Sequence, residues 1–175
     1  MVSIGLTYHF FVYRTDGLRK EMELSRNRNH DAKLVYSFQE KYTEPRFEAV
    51  LRTIQDDHSL MSDDASFMMS AASMLRSANF HLLDKQVKQK ADILADRIAD
   101  LSRFTNAEFF VMQNATSQDR RCLRPDWNPD RAGFQVPTAL EEAKYSNLAT
   151  TVYSLTSAVF CAYSDFVETA HQRVL

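Results

Sequence analysis

The feature that most limits how this chain can fold is a long uncharged stretch near its carboxyl end. From Tyr145 to Ser164 there is no Asp, Glu, Lys or Arg. Upstream, Pro137 disfavours helix before it, and Thr138 followed three residues later by Glu141 is the pattern of a capping box. Apolar residues then recur at helical spacing. We therefore predict one long helix over residues 138–175.

This helix could belong to a membrane or to a water-soluble bundle. An uncharged run of about 20 residues has the length of a membrane span. The run is rich in Ser and Thr, however, and its flanks, Glu141-Glu142 and Asp165, give no Lys/Arg bias to orient a span. We predict no membrane segment. We expect the central helix of a bundle, surrounded by other elements on most sides.

Composition favours one helical domain in a reducing compartment. With 175 residues, 3 glycines and 4 prolines, the chain can bury a core and has few helix breakers. A formal charge of −2 gives no general attraction to nucleic acid. Cys122 and Cys161 form no CxxC motif, and the N-terminus lacks a signal-peptide pattern. We expect a cytoplasmic protein without a disulfide framework.

The N-terminal 25 residues predict β structure. Polar and apolar residues alternate over residues 2–13, and Asp16-Gly17 suits a type I′ turn, so we predict a β-hairpin over residues 3–25. Residues 18–25 are also good helix formers, which leaves the second arm open between strand and helix.

A lone hairpin is only marginally stable, so this one must lie on the helices, gain a strand or pair with another chain. Phe10, Phe11 and Tyr13 leave both of its faces partly apolar. These three residues are our candidates for binding a partner.

Residues 31–113 predict successive helices. Asp31 can cap the first, and Pro45 in a first turn favours a second that begins at Thr43 or Glu44. The clearest helix follows Asp84, where apolar residues step by four and three as in a bundle seam. That seam consists of Val87, Ala91, Leu94, Ile98 and Leu101. Residues 108–113 either end this helix or form a short strand beside the hairpin.

Together these elements predict a single, mainly α domain over residues 1–175, with a four- to five-helix bundle and an N-terminal β-hairpin. Its parts are the hairpin (1–25), the helices (31–113), a long ordered loop (114–137) and the central C-terminal helix (138–175). The class becomes α+β if residues 108–113 add a strand.

The predicted loop has the most distinctive composition in the chain. Its forked arginine donors and single tryptophan could bind an anion or an acidic partner. A structural crossover, with Asp126 and Asp130 serving turns and pairing with the arginines, explains the same residues and is the interpretation we favour. The candidate ligand-binding residues are Arg120, Arg121, Arg124, Trp127 and Arg131.

Signals of catalysis or metal binding are sparse. Glu168 and His171 have the i, i+3 spacing of di-iron bundles, but the second such motif that those sites require is missing. Cys122 lies among arginines in the predicted loop, whereas Cys161 lies in the uncharged helix, where we expect a buried, inert thiol. We expect no cofactor.

Two functions from different classes fit this sequence. The first is a non-enzymatic interaction protein that binds another protein or itself, as in a homodimer. The second is a small-ligand or anion-binding bundle, with or without catalysis, that uses the Arg-rich loop at residues 119–131. The absence of a recognisable catalytic motif favours the first.

Overall fold

A computed structural model of the chain describes residues 3–111, 119–124 and 138–175, with side chains from residue 17 onward. Within these residues lie five helices and three short strands. The helices are α1 (Ser3–Lys41), α2 (Glu44–Asp56), α3 (Ser62–Leu75), α4 (Lys85–Glu108) and α5 (Ala139–Arg173). The strands are β1 (Ser59–Met61), β2 (Phe109–Val111) and β3 (Arg120–Leu123). The prediction of a mainly α fold with four to five helices is confirmed.

The predicted N-terminal hairpin is wrong, because residues 3–25 belong to the unbroken helix α1. A strand needs a hydrogen-bonded neighbour, whereas a helix satisfies its backbone within its own segment. Residues 18–25, which are good helix formers, are continuous with the part of α1 that packs in the core. Asp31 therefore lies inside a helix and does not cap one.

The three strands form a small antiparallel sheet in the order β1-β3-β2. Cys122 of β3 lies opposite Ser59 on one side and opposite Phe110 on the other. The prediction of a loop is therefore wrong for residues 120–123. The alternative of a strand within residues 108–113 is confirmed, but its neighbour is β3 and not the N-terminal segment.

The predicted helix starts agree with the structure at three places. Pro45 lies in the first turn of α2. The Asp84 carboxylate accepts from the backbone N–H groups of Gln86 and Val87 at the start of α4. The capping box of Thr138 and Glu141 is formed at the start of α5. All five seam residues of α4 are buried.

The core lies between α2, α3, α4, α5 and the C-terminal third of α1. The Phe38 ring of α1 meets the Phe166 ring of α5 edge to face, with centroids 5.6 Å apart. The Tyr163 hydroxyl donates to the carbonyl of Tyr42 at 2.9 Å. Burial raises the pKa of Tyr163 to about 12. Helices α1 and α5 are thus joined by aromatic packing and by a buried hydrogen bond.

Among the residues that the structure describes, helix α5 is packed on one face and not surrounded on most sides, so this part of the prediction is wrong. Val152, Val159 and Phe166 are fully buried, whereas Tyr153 on another face is 59% exposed. The hydroxyls of Thr150 and Thr151 donate to carbonyls one turn back, at 2.9 and 3.0 Å. These bonds are local, so an uncharged helix face can stand in water without another helix over it.

No helix within residues 3–111, 119–124 and 138–175 has both the length and the hydropathy that a bilayer crossing requires.

Candidate functional site

The described N-terminal part of α1 carries several highly exposed apolar side chains. We call residues 17–30 the arm. Every arm residue is exposed except Asn27, which is half-buried. Leu18, Met22 and Leu24 are 55%, 72% and 65% exposed. An isolated exposed Leu is ordinary on a protein surface, but three large apolar side chains within seven residues of an exposed helix form a potential contact surface.

The arm has a distinct face. Leu18 and Met22 are four residues apart and therefore lie on one side of the helix, with Arg19 and Arg26 along their flank. Lys20 lies on the opposite side. Leu24 points elsewhere and lines a groove of about 610 Å³ between the arm and the end of α5. The row of Leu18 and Met22 is thus separate from that groove.

The arm joins the body at Asp31, which is 1% exposed. Its carboxylate accepts from the backbone N–H of Asp84 at 2.7 Å and from that of Leu83 at 2.9 and 3.1 Å. The connector before α4 is therefore held against α1 by a charged acceptor. Such hydrogen bonds are stronger than neutral ones.

A second charged contact continues this network to the C-terminal end of α5. The guanidinium of Arg173 donates from Nε to both carboxylate oxygens of Asp84, at 2.9 and 2.8 Å. This hydrogen bonding lowers the pKa of Asp84, and the backbone N–H groups of Val87 and Gln86 lower it further. The same carboxylate raises the pKa of Arg173. Asp31, Asp84 and Arg173 together fix α1, the start of α4 and the end of α5 to one another.

A cleft of about 380 Å³ lies on another side of the body, between α2 and α5. Leu51 and Thr156 are buried in its floor, while Phe160 stands at its wall and is 37% exposed. Glu48, Arg52 and Asp56 of α2 form its charged rim, and Cys161 opens onto it. The cleft thus combines an apolar interior with a mainly acidic edge.

The three predicted ligand-binding arginines that the structure describes each contact a different partner. Arg120 donates to the Ser59 hydroxyl at 2.9 Å and lies 3.7 Å from the Asp57 carboxylate. Arg121 donates to the side-chain oxygen of Asn106 at 3.1 Å.

Arg124, at the end of β3, pairs with Glu108 at 2.5 Å, and its guanidinium lies 5.0 Å from the centre of the Phe110 ring. Its backbone has a positive φ of 41°. The three described arginines therefore bind the sheet to α2 and α4, as a structural role requires. Trp127 and Arg131 lie outside the described residues, so the full predicted set stays a prediction.

The other predicted residues are dispersed. Phe10, Phe11 and Tyr13 belong to the helical backbone of α1, and their side chains lie outside the described part. Glu168 is exposed and accepts from Gln172 at 3.0 Å, and His171 is exposed as well.

Among the side chains that the structure describes, no group of three or more His, Cys, Asp and Glu is placed to hold a metal ion. The two cysteines are arranged opposite to the sequence interpretation: Cys122 is buried and Cys161 is exposed.

One polar pair was not anticipated. His58 has a positive φ of 45° and is hydrogen-bonded through Nδ1 to the hydroxyl of Tyr145 in α5. A left-handed backbone is costly for a residue other than glycine, and such strain is common at functional sites. Here the hydrogen bond joins the end of α2 to α5, and this structural role is sufficient to explain the left-handed backbone of His58.

Sequence reasoning also missed the arm and the cleft. Asp31 looked like an ordinary helix cap, and only the fold reveals that its acceptors are used by Leu83 and Asp84. The i, i+4 spacing of Leu18 and Met22 was a usable signal for an exposed helical face. It was outweighed by the Asp16-Gly17 turn pattern next to it.

Comparison with protein-family models, with curated proteins and with solved structures finds no match to this chain.

Proposed function

We propose that this protein is a non-enzymatic interaction protein that binds another protein, or a second copy of itself, through the arm of α1. The observation that carries this proposal is the exposure of Leu18 and Met22 on a helix that is fastened to the body from Asp31 onward. A helix with an apolar row can bind by laying that row into a groove of its partner.

Two further features support the proposal. The contacts of Arg120 and Arg121 with neighbouring side chains leave less donor capacity for an anion, which weakens the alternative of an anion-binding loop. In addition, residues 4–13 contain seven large apolar or aromatic residues and no charged one. A helical segment of that composition favours burial against something else. Phe10, Phe11 and Tyr13 remain our predicted partner-binding residues in that segment.

The test compares two matched variants of the full chain. Leu18→Glu/Met22→Glu places charges on the apolar row, and Lys20→Glu changes the opposite side of the same helix. Because these side chains are exposed, we expect circular dichroism and denaturant unfolding to stay close to those of the unmodified protein.

Binding is measured by quantitative affinity purification and by sedimentation. Loss of a central apolar contact weakens binding by about tenfold or more, so we expect that loss for the double variant and little change for Lys20→Glu. Equal association of all three proteins would refute the arm as the binding element. A triple Phe10→Ser/Phe11→Ser/Tyr13→Ser variant tests the N-terminal residues in the same assays.

A further inference from the structure

We infer that the partner of the arm is a second copy of this chain, and that the arm of each copy docks in the cleft between α2 and α5 of the other. This inference rests on the proposed function and adds the identity of the partner and the place where it binds. It is carried by the apolar and charged features that the arm and the cleft present.

The cleft offers an apolar surface with charged residues at its edge. It lies between two neighbouring helices and is open to solvent, with Phe160 as its exposed apolar side chain and Leu51 buried in its floor. Tyr153, two turns before Phe160 on α5, extends the apolar surface beyond the cleft and is 59% exposed. Two large apolar side chains one turn apart, as Leu18 and Met22 are, fit a surface of this kind.

Charge favours the same pairing. The arm has four basic and two acidic side chains, which gives it a formal charge of +2. The charged side chains that line the cleft are Glu48, Asp56 and Arg52, which together carry a formal charge of −1. Opposite charges on two surfaces speed their encounter and help to set their register.

The charged residues also match in spacing. Arg19 and Arg26 are seven residues apart beside the apolar row, which is about 10.5 Å along a helix. Glu48 and Asp56 are eight residues apart on the cleft rim, which is about 12 Å. Glu48 already accepts from Arg52 at 2.6 Å, so an arriving arginine there would join an existing pair.

Asp56 is the more open of the two acidic positions. Among the described residues, none forms an ion pair with its exposed carboxylate. It lies in the last turn of α2, a turn that contains no basic residue. The partial negative charge of a helix C-terminus adds to that of the carboxylate, so a cation is favoured at this end of the cleft.

The arm cannot occupy the cleft of its own chain. No arm residue lines that cleft, and α1 runs without a break from the arm into the body. A return to the cleft would require the helix to break next to Asp31. The occupant therefore comes from another molecule, and reciprocal exchange of two arms produces a closed two-fold dimer.

The first experiment uses the exposed thiol of Cys161 as a natural probe at the cleft. A Met22→Cys variant is treated with a short bis-maleimide reagent, which adds one thiol at each end. We expect a covalent dimer joined between residue 22 of one copy and Cys161 of the other, identified by peptide mass spectrometry. Lys20→Cys, on the opposite side of the arm, is the matched control and should give little of this product.

The second experiment is a charge exchange measured by sedimentation equilibrium. We expect the unmodified protein to dimerise, and Arg26→Glu or Asp56→Arg alone to weaken dimerisation severalfold because each places like charges together. The combined variant Arg26→Glu/Asp56→Arg should recover most of the loss. Recovery requires the two positions to meet, which a general effect on folding cannot produce.

The outcomes separate this inference from the proposed function. If the unmodified protein stays monomeric at every concentration, the second copy is excluded, while a different protein bound through Leu18 and Met22 still supports the proposed function. A dimer that forms equally in the Asp56→Arg and Leu18→Glu/Met22→Glu variants would overturn the assignment of arm and cleft. If Leu18→Glu/Met22→Glu captures every partner as well as the unmodified protein does, both the proposed function and this inference are overturned.

Discussion

Replacing Asp31 with alanine removes the acceptor that holds the connector before α4 against α1. The carboxylate receives two backbone N–H groups, from Asp84 at 2.7 Å and from Leu83 at 2.9 Å. A hydrogen bond to a charged group contributes about 1.5 to 3 kcal/mol, so two such bonds account for about 3 to 6 kcal/mol. Alanine recovers about 0.7 kcal/mol through its higher helix propensity. We therefore expect the free energy of unfolding to fall by about 2 to 5 kcal/mol.

The change is measured by urea unfolding followed by circular dichroism. For a chain of this size, each kcal/mol lowers the melting temperature by about 2 to 4 °C, so thermal unfolding provides a second readout. The matched control is Asp165→Ala, which removes an exposed ion pair with Lys90 and should cost less than about 1 kcal/mol. If the two variants lose the same stability, Asp31 does not fasten the arm to the body as the hydrogen bonds imply.

Three other changes test separate parts of the structure. Gly17 lies in an exposed part of α1, and nothing stands within 4 Å of an added Cβ. Gly17→Ala should therefore raise the helix content measured by circular dichroism. A lower helix content would favour the turn that the sequence suggests. The pKa of Asp84 is lowered chiefly by its hydrogen bond with Arg173, so the stability from this pair is present above the ordinary pKa of 3.8 and is lost as the pH falls below it. The free energy of unfolding of Arg173→Gln should therefore fall less on acidification than that of the unmodified protein. Identical pH profiles of the two proteins would contradict the contact. The pKa of Tyr163 is raised from 10.0 to about 12, so its contribution to stability is present below pH 10 and is lost as the pH rises towards 12. Tyr163→Phe should remove that alkaline loss in urea unfolding at graded pH, whereas an unchanged loss would assign it to another group.

The helices of the body were predictable because their signals are local. The seam of α4 repeats every three or four residues, and Asp84 and Thr138 cap their helices through neighbours two or three residues away. No distant residue has to be known for these patterns to be interpreted. The same explanation applies to Pro45, whose ring suits the first turn of a helix wherever that helix packs.

The sheet and the arm were not predictable in this way. β3 has only four residues, and its pairing of Cys122 with Ser59 joins parts of the chain that are far apart in sequence. At the N-terminus, alternation of polar and apolar residues indicated a strand, but such a segment forms a strand only where a neighbouring strand pairs with it. Asp16-Gly17 was interpreted as a turn, although a single glycine within a helix lowers its stability by only about 1 kcal/mol.

The candidate site was also predictable only where its signals are local. The apolar row of Leu18 and Met22 could be read from the sequence once a helix was assumed. The cleft could not, because Leu51 and Phe160 come from helices more than a hundred residues apart. The exposure of Cys161 was missed for a different reason, since α5 was expected to be surrounded on most sides, whereas it packs on one face.

One unbroken helix serves as the exposed arm and as a member of the core, since Val35 and Phe38 are fully buried one to two turns after Asp31. The direction of the arm and the packing of these two side chains are therefore set by one continuous helix. By thermodynamic linkage, a molecule that binds the arm only in the folded protein raises the heat resistance of the whole protein.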